Sequence, residues 1–312
     1  MFAVGIHAFG GPEVVVPVDI PPLPLGDGEV EIAVRATTVN PADVMLRRGQ
    51  LRDVVQAEPP FVGGLELSGT VTAAAPGVGF SEGDEVAAIT SFIPGGRGGH
   101  VARAVLDARR VARIPAGLDA VHAATVPMNG LTARLAVDRL ALRPGRTLAV
   151  VGAGGAVGAY VIELAVAAGV RVVAVGSERH EAFVRGLGAE VFVLRGDDLA
   201  ARLRHEVPGG LDGLVDAALV GPSVLPAVAD GGRVIVVRGD ADAAAERGIE
   251  VIRVSVQHYA TRNDDLIDLL DRAASGGLTT RVAAEVPATT PAEAHRLLER
   301  GGLDGRIVLI LP

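Results

Sequence analysis

Four glycines, Gly152, Gly154, Gly155 and Gly158, fall inside the stretch TLAVVGAGGAVGAYVIELAVAAG, Thr147 to Gly169. The residues before them read as a strand and those after them as a helix. Glycine weakens both elements, so the junction needs a reason. Without Cβ atoms the backbone can turn tightly and an anion can approach the helix start. There the unpaired N–H groups and the helix dipole favour negative charge. Gly152, Gly155 and Gly158 are spaced GxxGxxG. This is the logic of a dinucleotide site, with one departure. A GxGxxG run from Gly152 requires glycine where the chain has Val157. A tight strand-to-helix turn without a ligand is the plain alternative. The strand before, the helix after and the second strand RVVAVGS weigh against it.

That second strand bears on the cofactor. NAD sites carry Asp or Glu at its end, bonded to the ribose 2′-hydroxyl. Here Gly176 and Ser177 stand there, followed by Glu178, Arg179 and His180. A small residue leaves room for a 2′-phosphate. Ser177 can donate a hydrogen bond, and Arg179 offers a planar fork suited to phosphate. NADP(H) is therefore the expected cofactor. Glu178 keeps NAD open, and Arg179 has a plain reading as a solvated charge.

The elements that position these residues follow from the rhythm of the chain. Residues 1 to about 115 read as short strands and turns, with EVEIAVRATTV, LSGTVTAAA and DEVAAI strand-like between Gly and Pro clusters. From Ala120 onward, helix-spaced and strand-like runs alternate. LTARLAVDRLAL, TLAVV, VRVVAVGS, EAFVRGLG, EVFVL, DLAARLRHEV, LDGLVDAA, GPSVLPAVADG and GRVIVV predict βαβ units and a parallel sheet. DDLIDLLDRAASG and TPAEAHRLLERG are further helices, and RIVLIL is a last strand.

Composition narrows the class. The 312 residues are 49% hydrophobic but only 3% aromatic, so Val, Ala and Leu must fill the core. Mean hydropathy is +0.39. The net charge of −8, with no basic run, argues against nucleic-acid binding. The chain has no Cys, hence no disulfide, thiolate ligand or thiol nucleophile. No signal-peptide pattern opens it, and Glu163 and Arg171 interrupt the best membrane-length apolar run. A cytoplasmic protein without a membrane partner is the expectation.

With these residues in view, the chain resembles the zinc-independent quinone oxidoreductase branch of the medium-chain dehydrogenase/reductase superfamily. VNPADVMLRRG, GGLELSGTVTAAAPGVGFSEGDEVAA, GGHVARAVLDARRVARIPAGL, AATVPMNGLTARLAV, LRPGRTLAVVGAGGAVG, GGRVIVV and LDGRIVLIL follow in the branch's order. The resemblance implies an α/β fold: a GroES-like β-barrel catalytic domain of residues 1–119 and 277–312, with an inserted Rossmann domain of residues 120–276. It implies NADP(H), a small-molecule substrate held with the nicotinamide in the interdomain cleft, and a homodimer.

It also implies roles for residues. Asn40, in the NPxD stretch, would bind cofactor or substrate carbonyl, or be a turn residue before Pro41. Asp43 would relay a proton, or serve as a cap or ion-pair partner. Asn129 and Thr132 would reach the nicotinamide, Thr132 having a plain helix-start alternative. Gly152, Gly154, Gly155, Ala156, Val157 and Val237 would line the cofactor, with Ser177, Arg179, His180 and Arg195 at its 2′-phosphate. His180 stands where the branch often has Lys, and Arg195 where it often has Tyr; Arg195 would contact the phosphate or be a surface charge. Met45, Leu51, Met128, His258 and Tyr259 would form the substrate pocket, with Tyr259 a candidate catalytic donor; a surface His and a packed Tyr are the plain alternative for the last two. The branch's frequent Tyr residues are replaced by Met45 and Leu51. Leu65 stands where zinc-dependent relatives carry His, so no metal is expected and an alcohol dehydrogenase is disfavoured. The implied activity is NADPH-dependent reduction of a quinone or an α,β-unsaturated carbonyl. A non-catalytic NADPH-binding or sensing protein of the same fold is the alternative.

Overall fold

The computed structural model describes residues 1–237, 247–259, 261 and 263–312; the side chains of His258 and Tyr259 lie outside it. The chain divides into two compact units: Met1–Met128 with Gln257–Gly276 and Thr280–Pro312, and Asn129–Val256 with Gly277–Thr279. The first unit begins with β1 (Phe2–Ile6), β2 (Val16–Asp19), β3 (Glu29–Thr38), α1 (Pro41–Arg47), β4 (Phe61–Val62), β5 (Glu66–Ala74), β6 (Glu85–Ile89), β7 (Arg103–Asp107), β8 (Val111–Arg113) and α2 (Ala120–Ala123). Helix α3 (Pro127–Leu140) leads to β9 (Thr147–Val151), α4 (Ala156–Ala167), β10 (Arg171–Gly176), α5 (Glu181–Gly186), β11 (Val191–Leu194), α6 (Leu199–Glu206), β12 (Leu211–Asp216), β13 (Val228–Val236) and β14 (Glu250–Arg253). The chain closes with α7 (Asn263–Ala274), β15 (Val282–Pro287), α8 (Pro291–Arg300) and β16 (Arg306–Ile310).

The expected α/β class holds, with an antiparallel-rich GroES-like unit and a parallel Rossmann-like sheet. In the first unit β3 is the hub. Along one side it pairs with β5; along the other it pairs first with β7 and then with β16. Its alternation buries Val30, Ile32 and Val34, and it ends with both Thr37 and Thr38 buried. Two register shifts bend the β3–β5 ladder. At Gly69 a Cβ would lie 2.1 Å from the Ala33 carbonyl oxygen, so the two strands approach as closely as they do only with glycine there.

The second unit holds six parallel strands in the order β11-β10-β9-β12-β13-β14. The first βα turn leaves β9 near the middle of the sheet, where the strand order reverses and doubly wound folds take ligands. The run GPSVLPAVADG, expected as an alternating helix, forms only a 3-10 turn at Gly221–Ala227. Pro226 lies inside that turn and removes an N–H that an α-helix would use.

The unit boundaries also fall elsewhere than expected. Residues 120–128 and 257–276 belong with the first unit. Helix α2 packs on β3, β5 and β6, and α7 packs on β8. Helical rhythm marks that a helix is present, not which sheet it covers. Among the described residues no helix is long and apolar enough to cross a membrane.

Helix α8 carries His295, which is 3% exposed. With Arg47, Asp43 and His100 it lines a cavity of about 20 Å³. Glu299, one turn further along α8, pairs with the buried Arg47 and with Arg48 at 2.7 Å. Burial, with His100 and Arg47 adding to it, pushes the His295 imidazole down to about 3. The folded protein therefore refuses a proton that the unfolded chain takes up near the ordinary value of 6.5. This contribution to stability is complete above that value and is lost as pH falls toward 3. In acid titrations of unfolding free energy, the parent should lose stability between pH 6.5 and 4 more steeply than His295→Gln, by up to about 1.4 kcal/mol per pH unit. Equal slopes in the two proteins would show that another group is responsible.

Candidate functional site

Two arrangements of polar and small residues stand out, one in each unit. The first forms where β3 leaves the sheet. Pro41 fixes the first turn of α1 and holds Asn40 extended at φ −112°, ψ 159°. The Asp43 carboxylate accepts the Asn40 N–H at 2.7 Å through one oxygen and the Gly64 N–H at 2.7 Å through the other. Asp43 thus completes the capping box of α1, whose N-cap is Asn40. The Asn40 amide donates to Thr38 Oγ1 at 3.1 Å and accepts from Arg306 at 2.9 Å. Arg306 also donates to Thr38 Oγ1 and to Glu66 Oε1, each at 2.6 Å. Thr38 Oγ1 donates to the same Glu66 oxygen, while the other Glu66 oxygen accepts the Met128 N–H at 2.7 Å. His100 Nε2 lies 3.0 Å from the Thr38 carbonyl oxygen. A carbonyl only accepts, so Nε2 carries the proton.

Glu66 is fully buried and the Arg306 side chain only 10% exposed. A buried ion pair survives desolvation only when further hydrogen bonds satisfy it, and here Thr38, Asn40 and Met128 supply them. Neither Glu66 nor Arg306 was singled out above. The available signal was an acid inside the apolar run VGGLELSGTV, which a buried strand tolerates only if paired. Met45 and Leu51 are half-buried, as is Met128.

The second arrangement is the glycine junction. Gly152 sits at φ +82°, the left-handed region, and its N–H and that of Ala153 both donate to the Val175 carbonyl of β10. A Cβ on Gly158 would lie 2.4 Å from the Gly152 carbonyl oxygen, so this glycine lets α4 pack on the turn. Gly155 is the N-cap of α4, extended and without a side-chain cap bond. The first N–H groups of that helix, starting at Ala156 and Val157, have no acceptor within the helix. With no side-chain cap and no acidic residue in the first turn, this end fits a pyrophosphate.

At the end of β10, Gly176 is buried and Ser177 half-buried, while Glu178 and Arg179 are exposed. Ser177 Oγ lies 3.1 Å from His180 Nδ1. The Arg195 N–H donates to the Gly176 carbonyl at 2.9 Å, which holds the exposed Arg195 beside the same strand end. The end of β10 thus offers a small residue, a hydroxyl, an imidazole and cationic residues, and its acid, Glu178, is exposed one residue further on. Asn129 and Thr132 are buried, each 6% exposed, one turn apart on α3. Val237 follows β13. His258 and Tyr259 close a short turn at Val256–Tyr259, and their side chains lie outside the described residues.

Among the described residues, no three His, Asp or Glu side chains gather as a metal-binding group. Leu65 is 5% exposed and packs in the core of the first unit.

Two family models match the chain. Residues 26–116 match the alcohol dehydrogenase GroES-like domain, and residues 187–309 match the family described as zinc-binding dehydrogenase. The chain belongs to the medium-chain dehydrogenase/reductase superfamily. Within this superfamily it is similar, at 32% identity over 202 residues, to the chloroplast envelope quinone oxidoreductase homolog of Arabidopsis thaliana; the match covers 61% of this chain and 60% of that one. Over 93% of its length it is 30% identical to the phthioceranic/hydroxyphthioceranic acid synthase of Mycobacterium tuberculosis, of which it spans only 14%. Among solved structures, mycobacterial Rv1454c complexed with NADPH superposes with a TM-score of 0.85 at 27% identity, covering 99% of both chains. An NAD-dependent alcohol dehydrogenase superposes with a TM-score of 0.86 at 29% identity, covering 100% of both.

The buried pair in the first unit generates a stability prediction. Arg306→Met leaves the Glu66 charge without its cation and should cost about 3–5 kcal/mol in denaturant unfolding. Glu66→Gln combined with Arg306→Met should recover much of that loss. A single variant as stable as the parent would mean that the pair does not hold the unit together.

Proposed function

We propose that this superfamily member is an NADPH-dependent reductase that delivers hydride to a quinone or an α,β-unsaturated carbonyl without a metal ion. One observation carries the reading. The uncapped α4 N-terminus, opened by glycine, stands beside a β10 end that has Gly176 and Ser177 where an NAD site has an acid. A solved relative in complex with NADPH supports the cofactor, although an NAD-dependent relative is equally similar in fold. The quinone oxidoreductase homolog supports one substrate class. The match of nearly the whole chain to a segment of a far longer acid synthase supports a substrate that is an intermediate of acid synthesis.

When bound, NADPH supplies the hydride. The chain's task is to hold the pyrophosphate on the first turn of α4, to receive the 2′-phosphate among Ser177, Arg179, His180 and Arg195, and to stabilise charge on the substrate oxygen. An enone leaves that oxygen negative and needs a hydrogen-bond donor placed in advance. Asn40 has two amide hydrogens, and the bond to Thr38 uses one. Tyr259 is the second candidate donor, together with a backbone N–H. The same reading includes a homodimer, for which the outer edge of β14, unpaired among the described residues, offers backbone groups. A non-catalytic NADPH-binding role is the second reading, favoured by Met45 and Leu51 in place of the branch's frequent Tyr residues.

Two measurements test this. NADPH should bind more tightly than NADH. Arg179→Ala should weaken NADPH by about one to two decades, the loss of a charge-assisted hydrogen bond, and leave NADH nearly unchanged. Equal weakening of both would remove Arg179 from the phosphate site. Quinones should be turned over with higher kcat/KM than simple enones, because a hydroquinone anion needs less help. Tyr259→Phe should then lower the enone value more than the quinone value. No turnover of either class above background would favour the binding protein.

A further inference from the structure

In the first unit, Arg47 Nε on α1 and His295 Nδ1 on α8 are shut off from solvent, and neither has a hydrogen-bond partner among the described residues. A buried polar group left in that state is costly, and native interiors hold few of them. Both residues line the cavity of about 20 Å³ noted above. The terminal nitrogens of Arg47 are taken by Glu299, which leaves the Nε–H over. Two such atoms on one small cavity call for a molecule that both can reach.

The rest of the wall limits what that molecule is. His100 Nδ1 and Asp43 Oδ1 stand on the Gly63 side of the same cavity: a Cβ on Gly63 would lie 3.2 Å from the first and 2.7 Å from the second. His100 Nε2 faces the Thr38 carbonyl and carries the proton, so Nδ1 of the neutral ring is an acceptor. Asp43 Oδ1 is an acceptor that already takes the Gly64 N–H at 2.7 Å. Arg47 can only donate. Donor and acceptors on one wall complement a molecule that does both. A volume on the order of 10–15 Å³ is enough for one water, and little larger than a water fits here. An anion is disfavoured because Glu299 already neutralises Arg47 and the Asp43 carboxylate borders the cavity. A cation is disfavoured by the Arg47 guanidinium. Burial holds the His295 ring neutral at ordinary pH, so it adds no charge of its own.

We propose that this cavity is a binding site for one structural water molecule, which bridges Arg47 Nε and His295 Nδ1 and so ties α8 to α1. The water accepts the Arg47 Nε–H. It bonds His295 Nδ1 in either tautomer of the ring, because water both donates and accepts. A remaining hydrogen has the His100 and Asp43 acceptors on the same wall. Three or so partners of this kind are what buried waters have. The Arg47–Glu299 pair joins the same two helices one turn along α8, and the water satisfies what that pair leaves over. The site is independent of the cofactor reading.

The test is a crystal structure of the parent at a resolution that shows ordered water, with long-lived internal waters counted in solution by magnetic relaxation dispersion of the water oxygen. His295→Asn and His295→Leu are measured in the same way. Asparagine and leucine have nearly the same shape. Asparagine keeps a polar atom one bond beyond Cγ, where histidine has Nδ1, and leucine puts a methyl group there. The parent and His295→Asn should show a fully occupied water within hydrogen-bond distance of Arg47 Nε and of the side chain at position 295. His295→Leu should lose it and count one long-lived water fewer. A parent with no density in the cavity overturns the site, so the test is decided even if His295→Leu does not fold. A water kept unchanged in His295→Leu shows that Nδ1 does not hold it and overturns the bridge. An anomalous peak in the cavity after a bromide soak of the parent identifies an anion there and overturns the water.

Discussion

The first unit depends on a charge pair buried inside a β-structure, Glu66 with Arg306. The unit is discontinuous: residues from the start of the chain must be joined by a strand from its end. That strand, β16, pairs with the last residues of β3. Apolar contacts alone would allow β16 to slide along β3, because a hydrophobic strand face repeats every two residues. A guanidinium that must meet Glu66, Thr38 and Asn40 together fits one register. Desolvating such a pair gains little net stability. What it contributes is uniqueness, because every misregistered alternative leaves Glu66 buried without a cation.

The same contacts fix the start of α1. Asn40 is held through its amide by Thr38 and Arg306, and through its N–H by Asp43. Asp43 in turn holds Gly64, two residues before Glu66. The segment from Thr38 to Asp43 is therefore rigid for a local reason, independent of any ligand. Rigidity of this kind is what a preorganised donor requires. Asn40 therefore remains the candidate donor for a substrate oxygen although much of its amide is already committed.

Much of the fold was legible because its strands carry period-two or uniformly apolar runs and its helices carry amphipathic ones. TLAVV, VRVVAVGS and EVFVL each became a strand, and TPAEAHRLLERG became a helix. Helix α1 was hidden, since its seven residues are too few for a periodic signal. Helix α3 begins at Pro127, four residues before the apolar repeat that announced it. GPSVLPAVADG shows the reverse error, an apolar pattern that proline converts into a 3-10 turn. Within the candidate site, the glycines were legible because spacing along the chain carries their meaning. The Glu66–Arg306 pair was not, because its partners lie 240 residues apart and nothing in either local sequence names the other. Gly154 and His180 were each visible, but their contact exists only once β9 and β10 lie side by side.

The absence of lysine from the whole chain gives the proposed phosphate site a particular character. A lysine is a flexible point charge that can follow a phosphate over several ångströms, whereas arginine and histidine present planar groups of fixed geometry. At the end of β10 the two kinds of planar group are placed differently. Arg179 is exposed on the turn, and Arg195 is exposed beside it with its backbone tied to Gly176. Both can attract an anion from solvent, but long exposed side chains fix its position poorly. His180 is half-buried and rests on the glycine loop. In the proposed site, long-range attraction and close positioning would fall to different residues. In the proposed cofactor site the exposed arginines would raise the local concentration of the phosphate. A flexible ammonium could combine both tasks in one side chain. Without lysine, the site proposed at the end of β10 would divide them between the exposed arginines and shorter groups nearer the strand.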